Sequence, residues 1–191
     1  DLDAKSNIDI KYYQKKRFVN FSSGKAVFSV HKNKQRPFFI KAGNTQIEVI
    51  GTKFEVIKIE DKNTINVIEG IVRISYILNH KIKHLIVLEK GKSFSLDNKG
   101  KNLKLKKVNI VDIAKWKDDL IRFDKTTLKE AFKEFARYTD KKILLKDYRV
   151  SNFKISGIFS IKDLNKFINS LSEIYDLNII KKQNEIILSS T

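Results

Sequence analysis

Gly24-Lys25-Ala26-Val27-Phe28-Ser29-Val30, then Arg36-Pro37-Phe38, Gly51-Thr52-Lys53-Phe54-Glu55-Val56 and Val67-Ile68-Glu69-Gly70-Ile71-Val72 form a spaced series in the first half of the chain. Apolar residues alternate within each member, as in a strand with one buried face, and a Gly or Pro beside each marks a forced turn. Working outward from this series, strands are expected at Phe38 to Ala42, Gln46 to Ile50, Lys53 to Ile59, Thr64 to Ile68, Val72 to Ile77, Leu85 to Leu88, Ser93 to Leu96 and Leu103 to Val108, beside Val27 to Val30. The connections carry Lys32-Asn33, Gly43-Asn44, Asp61-Lys62-Asn63, Asn79-His80 and Asp97-Asn98-Lys99-Gly100, residue types that tolerate hairpin geometry. Residues 8–112 therefore predict an all-β domain, either an antiparallel sandwich or a wound β-structure.

At Val111 the period changes. Sliding the sequence by 36 residues aligns Phe123 with Phe159, Leu128 with Leu164, Phe132 with Ile168, Phe135 with Leu171, Tyr138 with Ile174, Asp140 with Asp176 and Ile143-Leu144 with Ile179-Ile180. Each copy reads as a strand, a helix with apolar residues at i, i+4, i+7 and i+10, and a second strand. Residues 116–191 thus predict a small α+β domain of two βαβ repeats, related by approximate two-fold symmetry and closed by a final strand at Glu185 to Leu188. Thr127 with Glu130, and Ser160 with Asp163, have the spacing of capping boxes at the two helix starts. Trp116 is expected to pack between the two halves and fix their angle.

Composition bounds the function. The chain has 191 residues, 41% of them hydrophobic, enough for one large core or two small ones. It has no Cys, which excludes disulfides, thiolate metal sites and cysteine nucleophiles. It has no Met either, so Asp1 is not an initiator residue, and the chain is expected to be a processed or excised part of a longer protein. No apolar run approaches the ~20 residues that cross a bilayer, and this portion is expected to be soluble. The net charge of +17 first suggests nucleic acid. Yet only six of the 39 basic residues are Arg, and the Lys are scattered, with short clusters such as Lys15-Lys16 beside Arg17, or Lys101, Lys104, Lys106 and Lys107. A reader of phosphates and bases concentrates Arg forks and exposed aromatics in one patch. Here the aromatics sit at core-like positions, so no nucleic-acid partner is expected, while attraction to an anionic membrane surface stays open.

No catalytic set can be assembled. His80 and His84 are spaced i, i+4 but fall in a turn-to-strand segment without a nearby carboxylate. Glu60-Asp61 and Asp118-Asp119 lie in polar connections, Ser22-Ser23-Gly24 lacks the framing of a nucleophile elbow, and there is no phosphate-cradling Gly-rich loop. The expectation is a protein that is not an enzyme and needs no metal or organic cofactor.

The ordered motifs of the first half resemble the FecR domain of bacterial transmembrane anti-sigma regulators. In the second half Trp116, Ile121, Phe123, Thr127-Leu128, Phe135, Arg137-Tyr138, Ile143, Ser156-Gly157-x-Phe159, Leu164 and Leu171 resemble the C-terminal domain that follows FecR domains, itself similar to the short signalling domain of secretins and TonB-dependent receptors. The chain departs from that family in two places: Asp119 stands where a Gly is common three residues after the Trp, and Thr127 where a Pro precedes the helix Leu. The resemblance implies the periplasmic, signal-receiving region of an inner-membrane protein. A missing upstream helix would anchor it, and a missing cytoplasmic segment would bind an extracytoplasmic-function sigma factor. A TonB-dependent outer-membrane receptor would present its own signalling domain to this region. Two alternatives remain: a nucleic-acid-binding β-protein and a structural envelope assembly module. The strand Glu185 to Leu188 is apolar and free of Pro, so it suits a sheet edge open to strand addition at Ile186, Ile187 and Leu188; docking across the helix beginning at Leu164 is the other expectation. If that strand is central instead, its apolar side chains are core.

Overall fold

The computed structural model describes residues 1–14 and 16–191, with Tyr12 described by its backbone alone; Lys15, of the Lys15-Lys16-Arg17 cluster, lies outside the described residues. The chain forms two compact units, Asp1–Ala114 and Lys115–Thr191.

The first unit contains β1 (Asn7–Tyr12), β2 (Arg17–Ser29), β3 (Phe38–Ala42), β4 (Thr45–Val49), β5 (Lys53–Ile59), β6 (Lys62–Glu69), β7 (Ile71–Leu78), β8 (Lys81–Glu89), β9 (Lys92–Asp97) and β10 (Lys104–Lys107). They pair in the order β10-β9-β6-β5-β2-β3-β4-β7-β8, with β1 added to β2. The long strand β2 is the corner of this sheet: Arg17 to Asn20 pair with β3, and Gly24 to Ser29 pair with β5. Folding about β2 brings Val19, Ile40, Ile47, Ile74 and Leu88 of one half into a single core with Phe54, Val56, Ile65, Val67, Phe94 and Leu96 of the other. Period-2 alternation supplies these inward faces, as in the fully alternating burial of β4. Asn63 on β6 bridges the halves, donating from Nδ2 to the Ala42 carbonyl at 3.1 Å and to Thr45 Oγ1 at 2.9 Å.

The sandwich and the wound structure expected from sequence are thus one object, a large sheet curled onto itself. It departs from the antiparallel expectation at one pairing, because β2 and β3 run parallel. The crossover between them is held by Arg17, whose guanidinium donates to the carbonyls of Arg36 (2.9 Å from Nη2) and His31 (3.3 Å). Asn33 Oδ1 accepts the Gln35 and Arg36 amides within the same loop. Structure also begins before Ile8: Leu2 bridges Ala26, and the Asp3 amide donates to the Lys25 carbonyl. Hairpin chemistry matches the sequence at Asn79-His80, where both residues have positive φ (47° and 61°), the requirement of a two-residue turn whose twist fits its strands. Phe28 is half-buried and stacks on Phe54 with ring centroids 5.6 Å apart.

The second unit contains a 3-10 turn (Lys115–Asp118), β11 (Leu120–Thr127), α1 (Leu128–Phe135), β12 (Lys142–Leu145), α2 (Tyr148–Ser151), β13 (Lys154–Ser160), α3 (Leu164–Ile174), β14 (Leu177–Lys181) and β15 (Glu185–Ser190). The two repeats are β11-α1-β12 and β13-α3-β14. Their first strands pair antiparallel, Ile121 with Phe159 and Phe123 with Gly157, while Arg122 faces Ile158, its own counterpart 36 residues on. That register places a local two-fold axis between Arg122 and Ile158. The second strands, β12 and β14, flank β15, which is parallel to β12 and antiparallel to β14. Leu128, Phe132, Phe135, Ile168 and Leu171 are all buried in one core, with Leu164 half-buried against it.

Two features of this unit sharpen the sequence reading. Thr127 forms a full capping box with Glu130, but the cap of α3 is Asp163, which accepts the Lys166 amide at 2.8 Å. Ser160 instead accepts the Lys162 amide, so the Ser160–Asp163 box does not form; Asp163 is the true 36-residue counterpart of Thr127. Asp119 adopts φ = 58°, the left-handed conformation that a Gly would adopt without steric cost. Its side chain pairs with Lys162 Nζ and its carbonyl accepts the Ile161 amide. Trp116 sits half-buried in the 3-10 turn.

Candidate protein-docking site

Among the described residues no group of three or more His, Asp or Glu converges in a way that could hold a metal. His80 lies in a turn and His84 on β8, where its Nδ1 is 2.8 Å from Ser75 Oγ. Extended chain carries residues four apart to ~13 Å, too far for a shared ligand. Asp61 accepts from Asn98 Nδ2 at 2.7 Å, and Asp119 pairs with Lys162; both acids serve turns.

Of the four residues expected to contact a partner, Ile186 and Leu188 are fully buried and Ile187 and Leu164 half-buried. The strand-addition expectation at Ile186, Ile187 and Leu188 is corrected here. β15 is the middle strand of its sheet, with both sides occupied by β12 and β14. Its apolar side chains are core because they lie beneath both repeats, and a Pro at Ile187 would break ladder bonds rather than close an edge. Leu164, at the first turn of α3, packs against the second core while leaving the helix beside it accessible.

The free edges of the three-stranded sheet belong to β12 and β14. Alongside β12 runs a groove of about 670 Å³ between α1, β12 and α2, floored by Phe132, Ala136, Ile143 and Leu145 and bordered by Lys129, Lys133 and Tyr148. Tyr148 is 85% exposed. Sequence reading passed over this place for two reasons. β12 is a short apolar run whose edge status depends on where β15 inserts, and α2 is a four-residue helix without periodicity. The one legible signal was Asp147, a residue of helix-capping type just after the strand.

Asp147 organises the end of the groove. Its Oδ1 accepts the Val150 amide and caps α2, while its Oδ2 accepts the Ser190 amide at the end of β15, both at 2.9 Å. These two backbone donors, the Val150 amide first, hold the Asp147 carboxyl below the ordinary carboxylate range. A carboxyl whose folded value is depressed stabilises the fold above its unfolded value, and that contribution disappears as pH falls through the folded value. Asp147→Ala should therefore lower the melting temperature at neutral pH, and the gap from the parent chain should close in acid. A gap that persists at the acid end would show that the carboxylate charge is not what holds α2 to β15.

The comparisons agree with this architecture. The model of the FecR protein family matches residues 1–73, and that of the FecR C-terminal domain matches residues 120–188. Two crystal structures of a candidate anti-sigma factor from Parabacteroides distasonis ATCC 8503, at 1.65 Å and 2.50 Å, share the fold at 18% identity. They superpose with TM-scores of 0.84 and 0.83, covering 100% of this chain and 89% and 88% of theirs. No curated protein matches the chain by sequence. With a FecR protein domain matched at residues 1–73 and a FecR C-terminal domain at residues 120–188, in order along one chain, this protein belongs to the FecR family.

Proposed function

We propose that this chain is the periplasmic, signal-receiving region of a transmembrane anti-sigma regulator. A FecR domain followed by a FecR C-terminal domain in a single chain carries the reading. Among the described residues no helix is long and apolar enough to cross a membrane. A TonB-dependent outer-membrane receptor that has bound its nutrient presents its signalling domain to residues 115–191, whose paired βαβ repeats leave sheet edges unoccupied. Docking changes the state of the regulator, and a cytoplasmic segment beyond this chain releases an extracytoplasmic-function sigma factor. The mechanism is association between proteins, with no bond made or broken by this region.

The test is a sigma-factor-dependent reporter in cells that carry the full regulator and its receptor. Adding the nutrient should induce the reporter, and deleting only the receptor's signalling domain should abolish induction while leaving nutrient uptake intact. Induction that survives this deletion would refute the reading.

A further inference from the structure

Backbone groups along the outer side of β12 have no partner in the sheet. The Lys142 amide donates to the Asn184 carbonyl and the Lys146 amide to the Leu188 carbonyl, both at 2.9 Å. The parallel register runs from Lys142 opposite Glu185 to Leu145 opposite Leu188. Along a strand successive backbone groups face opposite sides, so the N–H and C=O of Ile143 and Leu145 point away from β15, off the edge of the sheet. The side chains of these same two residues enter the groove floor beside Phe132 and Ala136. An open ladder position and an apolar trough thus coincide on one strand.

The border of the groove is one-signed: its lining includes Lys129 and Lys133 on α1 and no acidic residue. Edge strands are normally blunted by a Pro, a bulge, an inward charge, Lys side chains or short length. β12 is short, four residues reading Lys142-Ile143-Leu144-Leu145 with its one Lys at the end, but it has no Pro and its pairing with β15 has no bulge, so Ile143 and Leu145 remain an apolar stretch of that edge. Tyr148 adds a large ring, almost wholly in water, at the end of the trough, where an aromatic side chain can serve as an anchor.

We propose that β12 accepts an extended segment of the receptor's signalling domain as a fourth strand. Apolar side chains at alternate positions of that segment drop into the groove, and its carboxylates meet Lys129. The identity of the strand donor rests on the docking role proposed above; the edge, the trough and the charge sign are properties of this chain. Main-chain bonds to Ile143 and Leu145 give affinity, and the trough with its basic border selects an apolar, acidic strand over a basic one.

The experiment uses the full chain and the purified signalling domain of its TonB-dependent receptor. Residue-resolved amide exchange should slow at Ile143 and Leu145 on binding, while the already bonded Lys142 and Lys146 amides change little. Ile143→Pro removes an outward donor without touching the β12–β15 ladder, as edge positions allow, and should weaken binding at least about tenfold. Lys129→Glu sits in the first turn of α1, where a negative charge suits the helix dipole, so it should fold normally, bind a few-fold more weakly and show a flatter salt dependence. Circular dichroism and thermal melting establish that each variant is folded, and the exchange pattern of the parent chain stands independently of both. Binding to residues 115–191 with unchanged exchange at Ile143 and Leu145 would overturn strand addition and leave the docking role intact. Absence of any complex would overturn both.

Discussion

Phe167→Ala is expected to cost about 3–5 kcal/mol of stability in the second unit, the range for deleting a buried Phe and leaving a cavity. Phe167 is 1% exposed and stands at the centre of an aromatic cluster, with ring centroids 4.4 Å from Phe135, 4.9 Å from Phe159, 5.4 Å from Phe132 and 5.9 Å from Phe123. The cluster draws on β11, α1, β13 and α3, so both repeats lose contacts at once. Its counterpart 36 residues earlier is Ala131, also buried, so one repeat fills the middle of the core and the other makes room for it. Domains are stable by only about 5–15 kcal/mol, so this variant should melt well below the parent chain. Urea unfolding followed by far-ultraviolet dichroism measures the difference; a loss under about 1 kcal/mol would mean that Phe167 is not the keystone of this core.

Gly24→Ala should be nearly as damaging, through a different cause. Gly24 has φ = 102° in the middle of β2, a conformation that side chains rarely adopt. A Cβ there would lie 2.4 Å from Ser6 Cα and 2.3 Å from Ser6 Oγ, so backbone would have to move. Ser6 is fixed from the other side, its hydroxyl donating to the Lys25 carbonyl at 2.9 Å and accepting the Lys25 amide at 3.0 Å. Strain of about 1–3 kcal/mol for the forced conformation adds to about 1–3 kcal/mol for overpacking. The variant should lose β1 from the corner of the sheet first, seen as faster amide exchange across Asn7 to Tyr12 than elsewhere in the unit. A melting temperature equal to that of the parent would contradict the close approach of Ser6 to Gly24.

Much of this fold was legible because its determinants are local. Alternation located β3 to β10, and the 36-residue offset located both βαβ units, down to the equivalence of Phe132 with Ile168 and Phe135 with Leu171. What sequence missed depends on partners distant in the chain. The first half of β2 has alternation broken by Asn and Ser, and Ser22-Ser23-Gly24 looks like a turn; it is strand because β1 pairs with β2 as far as Ser23 and β5 pairs with it from Gly24. Parallel pairing of β2 with β3 leaves no periodic trace, since its specificity lies in the Arg17 bonds to His31 and Arg36.

The edge of the three-stranded sheet was misplaced for the same reason. Alternation in Glu185 to Leu188 reports burial of Ile186 and Leu188, but it cannot say whether the strand has one neighbour or two. Insertion of β15 between the repeats turns the C-terminal strand into the centre of the sheet and leaves β12 outside. Edge status is a property of topology, and only the placement of all three strands decides it.

Titration calorimetry of the purified chain with the signalling domain of its TonB-dependent receptor tests the central claim most directly. A saturable one-to-one complex is expected, with a heat-capacity change of the sign that apolar burial gives. No measurable binding, while the chain self-associates at the same concentration or binds duplex DNA with a steep salt dependence, would contradict a role as the receiving partner.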